Sequence, residues 1–339
     1  MVQSETVKEM LESGGVCEKF DFSLTKDIAK EIGDKRVVFT GMGSSLLFPG
    51  NNAKNRALKL NIKNRVEAYF SSDLMQYTDF SDTYLFLFSN SGKTKEVVLL
   101  LEHAKKHGGT CVAITAVPDS PLANKADRKI LMKCGFEKGI AATKSVIEQG
   151  LICDSIIFNL AVLQGKKIDF GKLKKDLEDA GKKIEKNIML DIEPAILEKL
   201  SKEKQFYFVG LETGVAAELS LKLCETTGKM AVYYPDTHIF HGLEEGLNKG
   251  CAVVIHHPHF SEYADKFKKF QQVTGAMLFG IGSGSDIAGL DIKLNQTFDN
   301  YCLLSGGWAL VRNLVNALGR DIDHPKRITK VGNPYKETD

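Results

Sequence analysis

The 339 residues exceed one ordinary hydrophobic core and suit two domains of roughly 150 residues each. Apolar residues make up 43% of the chain, which argues against wholesale disorder. The balance of 45 basic against 43 acidic residues argues against a dedicated nucleic-acid binder with a basic face.

Lysine-rich stretches such as Lys172-Leu173-Lys174-Lys175 run straight into Asp176, Glu178 and Asp179 and read as solvated helix faces. Seven scattered cysteines, Cys17, Cys111, Cys134, Cys153, Cys224, Cys251 and Cys302, never form a Cys-x-x-Cys pair. That usage fits a reducing compartment better than a disulfide scaffold or a structural zinc site. The opening MVQSETVKEM has no apolar signal core, and no uninterrupted apolar run is long enough for a bilayer. The expectation is a soluble, cytoplasmic protein with neither a membrane nor a nucleic-acid partner.

Taken in chain order, short β-branched and aromatic runs at Arg36–Thr40, Val66–Phe70, Tyr84–Phe88, Cys111–Thr115 and Lys129–Met132 alternate with helical patterns. This alternation predicts a parallel sheet with crossover helices. A second set repeats the order at Gln205–Val209, Met230–Tyr234, Ala252–Ile255, Ala276–Gly280 and Asp291–Leu294. The openings VVFTGMGSS (37–45) and FYFVGLETG (206–214) resemble each other, and each half closes on a long apolar helix, Thr143–Leu163 and Tyr301–Leu318. A charged, helix-prone connector, Lys166–Lys186, lies between them. The fold class is therefore α/β, as two tandem doubly wound, flavodoxin-like parallel-sheet domains. They span about 20–165 and 190–320, with 321–339 as a tail.

Ligands of such sheets bind beyond the carboxyl ends of the strands. Two glycine-containing loops fall there in the first half. The first, Gly41-Met42-Gly43-Ser44-Ser45, has Leu46 where a dinucleotide loop needs a third glycine, and no acid ends the second strand. The second, Ser89-Asn90-Ser91-Gly92-Lys93-Thr94, ends like a nucleotide P-loop but has Leu87 where the upstream glycine belongs. What remains is phosphate chemistry without a triphosphate. Ser89, Ser91 and Thr94 supply hydroxyls, Gly92 permits close backbone approach, and a helix over Glu96–His107 points its N-terminus at the anion. An ordinary serine cap on a crossover helix is the plainer alternative.

In the second half Glu218, Lys222 and Glu225 recur at i, i+4 and i+7 on the helix Val215–Glu225, sharing one narrow face. A solvent-facing ion-paired stripe would give this pattern. So would a cleft, with Leu219 and Leu221 flanking it, where desolvation raises a carboxylate's pKa toward a useful base. His241 alone reads as a loop histidine and Lys330 as a surface lysine. His256, His257 and His259 fall within four residues of a loop and cannot easily converge on one ion.

Together the motifs GMGSS, SNSGKT, GIAATK (139–144), ELSLKLCE (218–225), FHG (240–242) and PKRITKV (325–331) resemble the sugar isomerase (SIS) domain family. The likeness runs nearly end to end and is greatest to the isomerase half of glucosamine-6-phosphate synthases, with signatures GCGTS, SQSGET, GVASTK, ALKLKE, KHGP and PRNLAKSV. The resemblance implies that phosphosugar contacts fall on Gly43, Ser44, Ser45, Ser89, Asn90, Ser91, Thr94, Ile140 and Ala142. It puts proton transfer on Glu225, ring opening on His241, and a lysine that contacts or forms an imine with the open sugar on Lys330. Lys222 matches a further active-site lysine, and the tail would close the site.

The same likeness implies a homodimer with shared sites and no metal, nucleotide or other cofactor. The glutaminase domain of those synthases does not appear in the first 20 residues, so glutamine-dependent synthesis is not expected. Lys93, Ala142, Cys224 and Leu243 depart from the pattern and bear on which sugar binds. The expected activity is a phosphosugar isomerase or deaminase, such as glucosamine 6-phosphate to fructose 6-phosphate and ammonia. A deglycase of a sugar-phosphate–amine conjugate and a non-catalytic phosphosugar sensor are the alternatives.

Overall fold

The computed structural model describes residues 4–256, 263–282 and 287–336. The β-branched and aromatic runs form two five-stranded, wholly parallel sheets. The first holds β1 (Arg36–Gly41), β2 (Val66–Phe70), β3 (Thr83–Phe88), β4 (Thr110–Thr115) and β5 (Arg128–Leu131) in the order β2-β1-β3-β4-β5. The second holds β6 (Gln205–Gly210), β7 (Met230–Pro235), β8 (Cys251–His256), β9 (Met277–Gly282) and β10 (Gly289–Asp291) in the order β10-β9-β8-β6-β7. Counted from its own first strand, each sheet runs 2-1-3-4-5, the flavodoxin-like doubly wound order.

The expected strand Asp291–Leu294 needs correction, since pairing stops at Asp291. Beyond it the side chain of Asn187 takes over the backbone, receiving the Lys293 N–H at 2.8 Å and donating to the Lys293 carbonyl at 3.0 Å. Those groups are then no longer available to a sheet ladder.

Two compact units carry the sheets. The first-sheet unit comprises residues 19–138, 142–174 and 329–339. Val38, Leu85, Leu87 and Ala113 point to one face of its sheet and bury against Val97, Val98 and Leu101 of the helix Lys95–Lys106. This is the period-two and period-3.6 match by which one face of a sheet packs against a helix. The helix Lys144–Leu163 is long and apolar enough to cross a bilayer by composition, yet nearly all of it is buried inside the protein. It packs on the helix Pro49–Lys59 as a core element.

The second-sheet unit comprises residues 1–18, 139–141 and 175–328. Val209, Val253, Ile255 and Leu278 pack against Phe267 and Phe270 of the helix Ala264–Thr274. The helices Val215–Thr227 and Asp299–Ala317 pack on each other. The charged connector is the helix Phe170–Ile188, and it is not solvated all round. Leu177, Ala180, Ile184 and Ile188 are fully buried along one stripe at three- and four-residue intervals. The helix Glu5–Lys19 also belongs here apart from its last residue. Its first turn is tied to Asp323, which accepts from the Glu5 and Thr6 N–H groups at 2.8 Å and from Thr6 Oγ1 at 2.6 Å.

Candidate functional site

In the first-sheet unit the loop after β3 folds as a hydroxyl cluster at the carboxyl end of a central strand. Ser89 Oγ lies 2.9 Å from Thr94 Oγ1 and 3.5 Å from Ser91 Oγ. The Lys93 and Thr94 N–H groups donate into it, to Ser91 Oγ at 3.2 Å and Ser89 Oγ at 3.4 Å. Gly92 makes the turn at φ +62°, and a Cβ there would overlap the Ser120 hydroxyl, so only glycine fits. Thr94 caps the helix Lys95–Lys106, one residue earlier than the sequence suggests. Residues 333–335 lie alongside: Lys95 N–H donates to the Asn333 carbonyl at 3.0 Å, and Tyr335 N–H to the Lys93 carbonyl at 2.7 Å. Lys93 itself is exposed.

The loop after β1 turns at Gly43, φ +53°, into a short helix Ser44–Leu47. Ser44 is buried, and Ser45 Oγ accepts from Gln149 Nε2 of the helix Lys144–Leu163 at 3.4 Å.

The hydroxyl loop and the start of the helix Lys144–Leu163 meet at a residue that sequence reasoning missed, Glu137. It is fully buried, and its carboxylate accepts from Thr143 N–H at 2.8 Å, Ser145 N–H at 3.1 Å and Ser145 Oγ at 2.7 Å. Asn90 Nδ2 of the hydroxyl loop reaches it at 3.3 Å, and so does Lys330 Nζ. Burial pushes this carboxyl up, but Lys330 and the Ser145 and Thr143 donors outweigh burial and hold it below the ordinary glutamate value. Glu137 therefore ties SNSGKT, the start of the helix Lys144–Leu163 and Lys330 together. The Lys330 side chain keeps 19% of its surface exposed, and Asn90 Oδ1 is enclosed and accepts no hydrogen bond among the described residues. Of the remaining expected contacts, Ala142 belongs to this unit, whereas Ile140 groups with the second-sheet unit, where the adjacent Gly139 N–H donates to Glu9 at 3.1 Å.

In the second-sheet unit the Glu218, Lys222 and Glu225 stripe is not solvent-facing. Glu218 and Lys222 have no exposed side-chain surface, and Glu225 keeps 22%. Lys222 Nζ lies 2.6 Å from Glu225 Oε2 and 3.3 Å from Glu218 Oε1. Burial works against the lysine's charge, yet Glu225 and Glu218 outweigh it and hold its pKa above the ordinary lysine value. The helix thus presents one partly exposed carboxylate fixed from behind by a cation. His241 follows the turn Asp236–Phe240, is exposed, and stacks on the His238 ring at 6.3 Å without a side-chain hydrogen bond among the described residues. His256 is buried at the end of β8, and His257 and His259 lie outside the described residues. Among the described residues no group of three metal-ligating side chains is arranged around an ion.

Residues 32–158 match the SIS domain model. This segment of the chain is a SIS domain. It contains both glycine-serine loops and Glu137. The chain is also homologous to the isomerase portion of the glutamine–fructose-6-phosphate aminotransferases. The enzyme of Clostridium perfringens is 25% identical over 330 residues, covering 91% of this chain and 53% of that protein. The chain spans about half the length of the curated relatives it matches. Among solved structures, the C-terminal domain of glucosamine-fructose-6-phosphate aminotransferase from Francisella tularensis superposes with a TM-score of 0.81 at 22% identity, covering 95% of this chain and 98% of that one. A glucosamine-6-phosphate deaminase from Thermotoga maritima superposes at 0.73 and 22%, covering 97% and 99%. These two likenesses show that the fold over both sheets is shared with those structures.

Proposed function

We propose that the chain is a phosphosugar isomerase or deaminase acting on an (amino)hexose 6-phosphate. The observation that carries this reading is Glu225, a partly exposed carboxylate held at 2.6 Å by a fully buried lysine in a chain that also bears the Ser89–Ser91–Thr94 hydroxyl cluster. A fixed carboxylate with one open side suits proton transfer between adjacent carbons, and clustered hydroxyls suit a phosphate monoester. Gly43, Ser44, Ser45, Asn90, Ile140 and Ala142 complete the proposed sugar-phosphate contacts.

For glucosamine 6-phosphate the sequence is as follows. His241 assists ring opening, and Glu225 takes the C2 proton to give an enolamine. The same group returns the proton to C1, giving an imine at C2. Water then hydrolyses this imine to fructose 6-phosphate and ammonia. Lys330, ion-paired with Glu137, supplies positive charge at the carbonyl end, while the buried Lys222 acts by holding Glu225. The exposed His241, whose side chain makes no hydrogen bond among the described residues, supports a homodimer in which it serves a neighbouring subunit.

The test incubates the purified protein with glucosamine 6-phosphate and follows ammonia and ketose. Glu225→Gln lowers turnover by about 10²–10⁴-fold while phosphosugar binding persists. Mixing Glu225→Gln with His241→Asn protein restores part of the activity if the sites are shared. A wild-type protein that binds aminohexose and hexose 6-phosphates but turns over none of them is a sensor, and the enzyme reading falls.

A further inference from the structure

The second-sheet unit carries a cleft of about 470 Å³ whose wall includes Glu225, Lys229, Arg320, Lys326 and Arg327. Four of these five are cations, and their commitments differ. Lys229 Nζ donates to the Ser201 and Glu203 carbonyls, which tether it. Arg320, Lys326 and Arg327 are exposed and form no ion pair among the described residues. Glu225, the one acid, is ion-paired with Lys222.

The Arg320 guanidinium also lies against a helix end. Gly228 ends the helix Val215–Thr227 at φ +65°, and a Cβ there would overlap the Arg320 guanidinium, which rests on bare backbone. A helix C-terminus attracts one cation. It does not account for Lys326 and Arg327, which come from the segment after the last helix and line the same concavity. Like charges gathered in a concave wall focus a positive potential on its interior.

We infer that this cleft binds a small molecule bearing carboxylate or phosphate groups, with Arg320 and Arg327 as its principal contacts. Guanidinium groups pair with both oxyanions through two parallel hydrogen bonds. The volume suits a metabolite-sized ligand. A polyanion or membrane surface is disfavoured, because the basic lining is concave and the chain's net charge is only +2. The cleft shares Glu225 with the proposed active site, but anion binding does not require turnover: a protein that turns over no phosphosugar still binds the anion here.

The experiment uses the full chain carrying Ser91→Ala with Thr94→Ala, so that the hydroxyl loop does not contribute, and titrates it calorimetrically with inorganic phosphate and with citrate. At least one anion binds saturably and more weakly at high salt. Adding Arg320→Gln with Arg327→Gln lowers that affinity by about tenfold or more, and lysine at both positions lowers it less. Preference for phosphate assigns phosphoryl ligands to the cleft, and preference for citrate assigns carboxylates. In the unsubstituted protein the preferred anion also slows phenylglyoxal labelling of Arg320, a readout that does not rely on the variants folding. Absence of saturable binding by both anions, affinity indifferent to the glutamine pair, or labelling indifferent to anion overturns the inference.

Discussion

In the first-sheet unit the fully buried charge at the site is an acid, Glu137, whereas in the second-sheet unit a fully buried base, Lys222, is set between two acids, Glu218 and Glu225. The sheets share one strand order, so topology does not explain the difference. Glu137 sits where the helix Lys144–Leu163 begins, and free N–H groups and hydroxyls there stabilise an anion with only one lysine added. Lys222 lies mid-helix, where the carbonyls are already committed to the helix, and it needs two carboxylates instead. The comparison teaches that the scaffold offers positions, while local donor supply decides which sign of charge can be buried at each.

Three variants break or sharpen that contrast. The largest effect belongs to Lys222→Met, which leaves Glu218 buried without its cation and costs about 3–5 kcal/mol. Trp308, the single tryptophan, is buried in the same unit, so urea unfolding followed by its fluorescence reports this loss. An unchanged midpoint would mean that the stripe is not a buried charge cluster.

Glu137→Gln comes next, at about 1–3 kcal/mol near neutral pH, because the amide cannot accept all the donors the carboxylate does. Its folded-state pKa is depressed. The stabilisation is therefore present above the unfolded value of ~4.3 and is lost as the pH falls through the lower folded-state value. Wild type and variant converge in acid, as circular dichroism melts across pH would record. If Glu137→Gln moved the Trp308 transition as far as Lys222→Met does, the separate treatment of the two charges would be untenable. The smallest effect is on binding: Ser91→Ala with Thr94→Ala weakens phosphosugar affinity about tenfold, or 1.4 kcal/mol, by calorimetry. Unchanged affinity would remove the hydroxyl loop from the site.

Most of the fold is legible in the sequence because parallel strands buried on both faces read as β-branched and aromatic runs. The spacing of Glu218, Lys222 and Glu225 is equally legible, but their burial is not. Periodicity locates a face without saying what covers it, and here fully buried Leu219 and Leu223 adjoin the charged stripe. Glu137 leaves no periodic trace at all. Its partners are 6, 8, 47 and 193 residues away, and only the hydroxyls of Thr143 and Ser145 opening a long helix hint that an acid is needed nearby. The Thr6–Asp323 contact, 317 residues apart, is invisible to any local pattern.

That long-range contact has a counterpart in residues 333–335, which lie along the hydroxyl loop of the first-sheet unit. The N-terminal helix is filed with the second sheet, and the last described segment with the first. On a ribosome neither half can finish in isolation. The first sheet waits for residues near 335 before its loop is edged, and the early helix waits some 300 residues for Asp323. Cutting the chain at its charged connector would thus separate each half from one of its own parts, so complementation by two fragments, not independent folding of either, is the behaviour this connectivity demands.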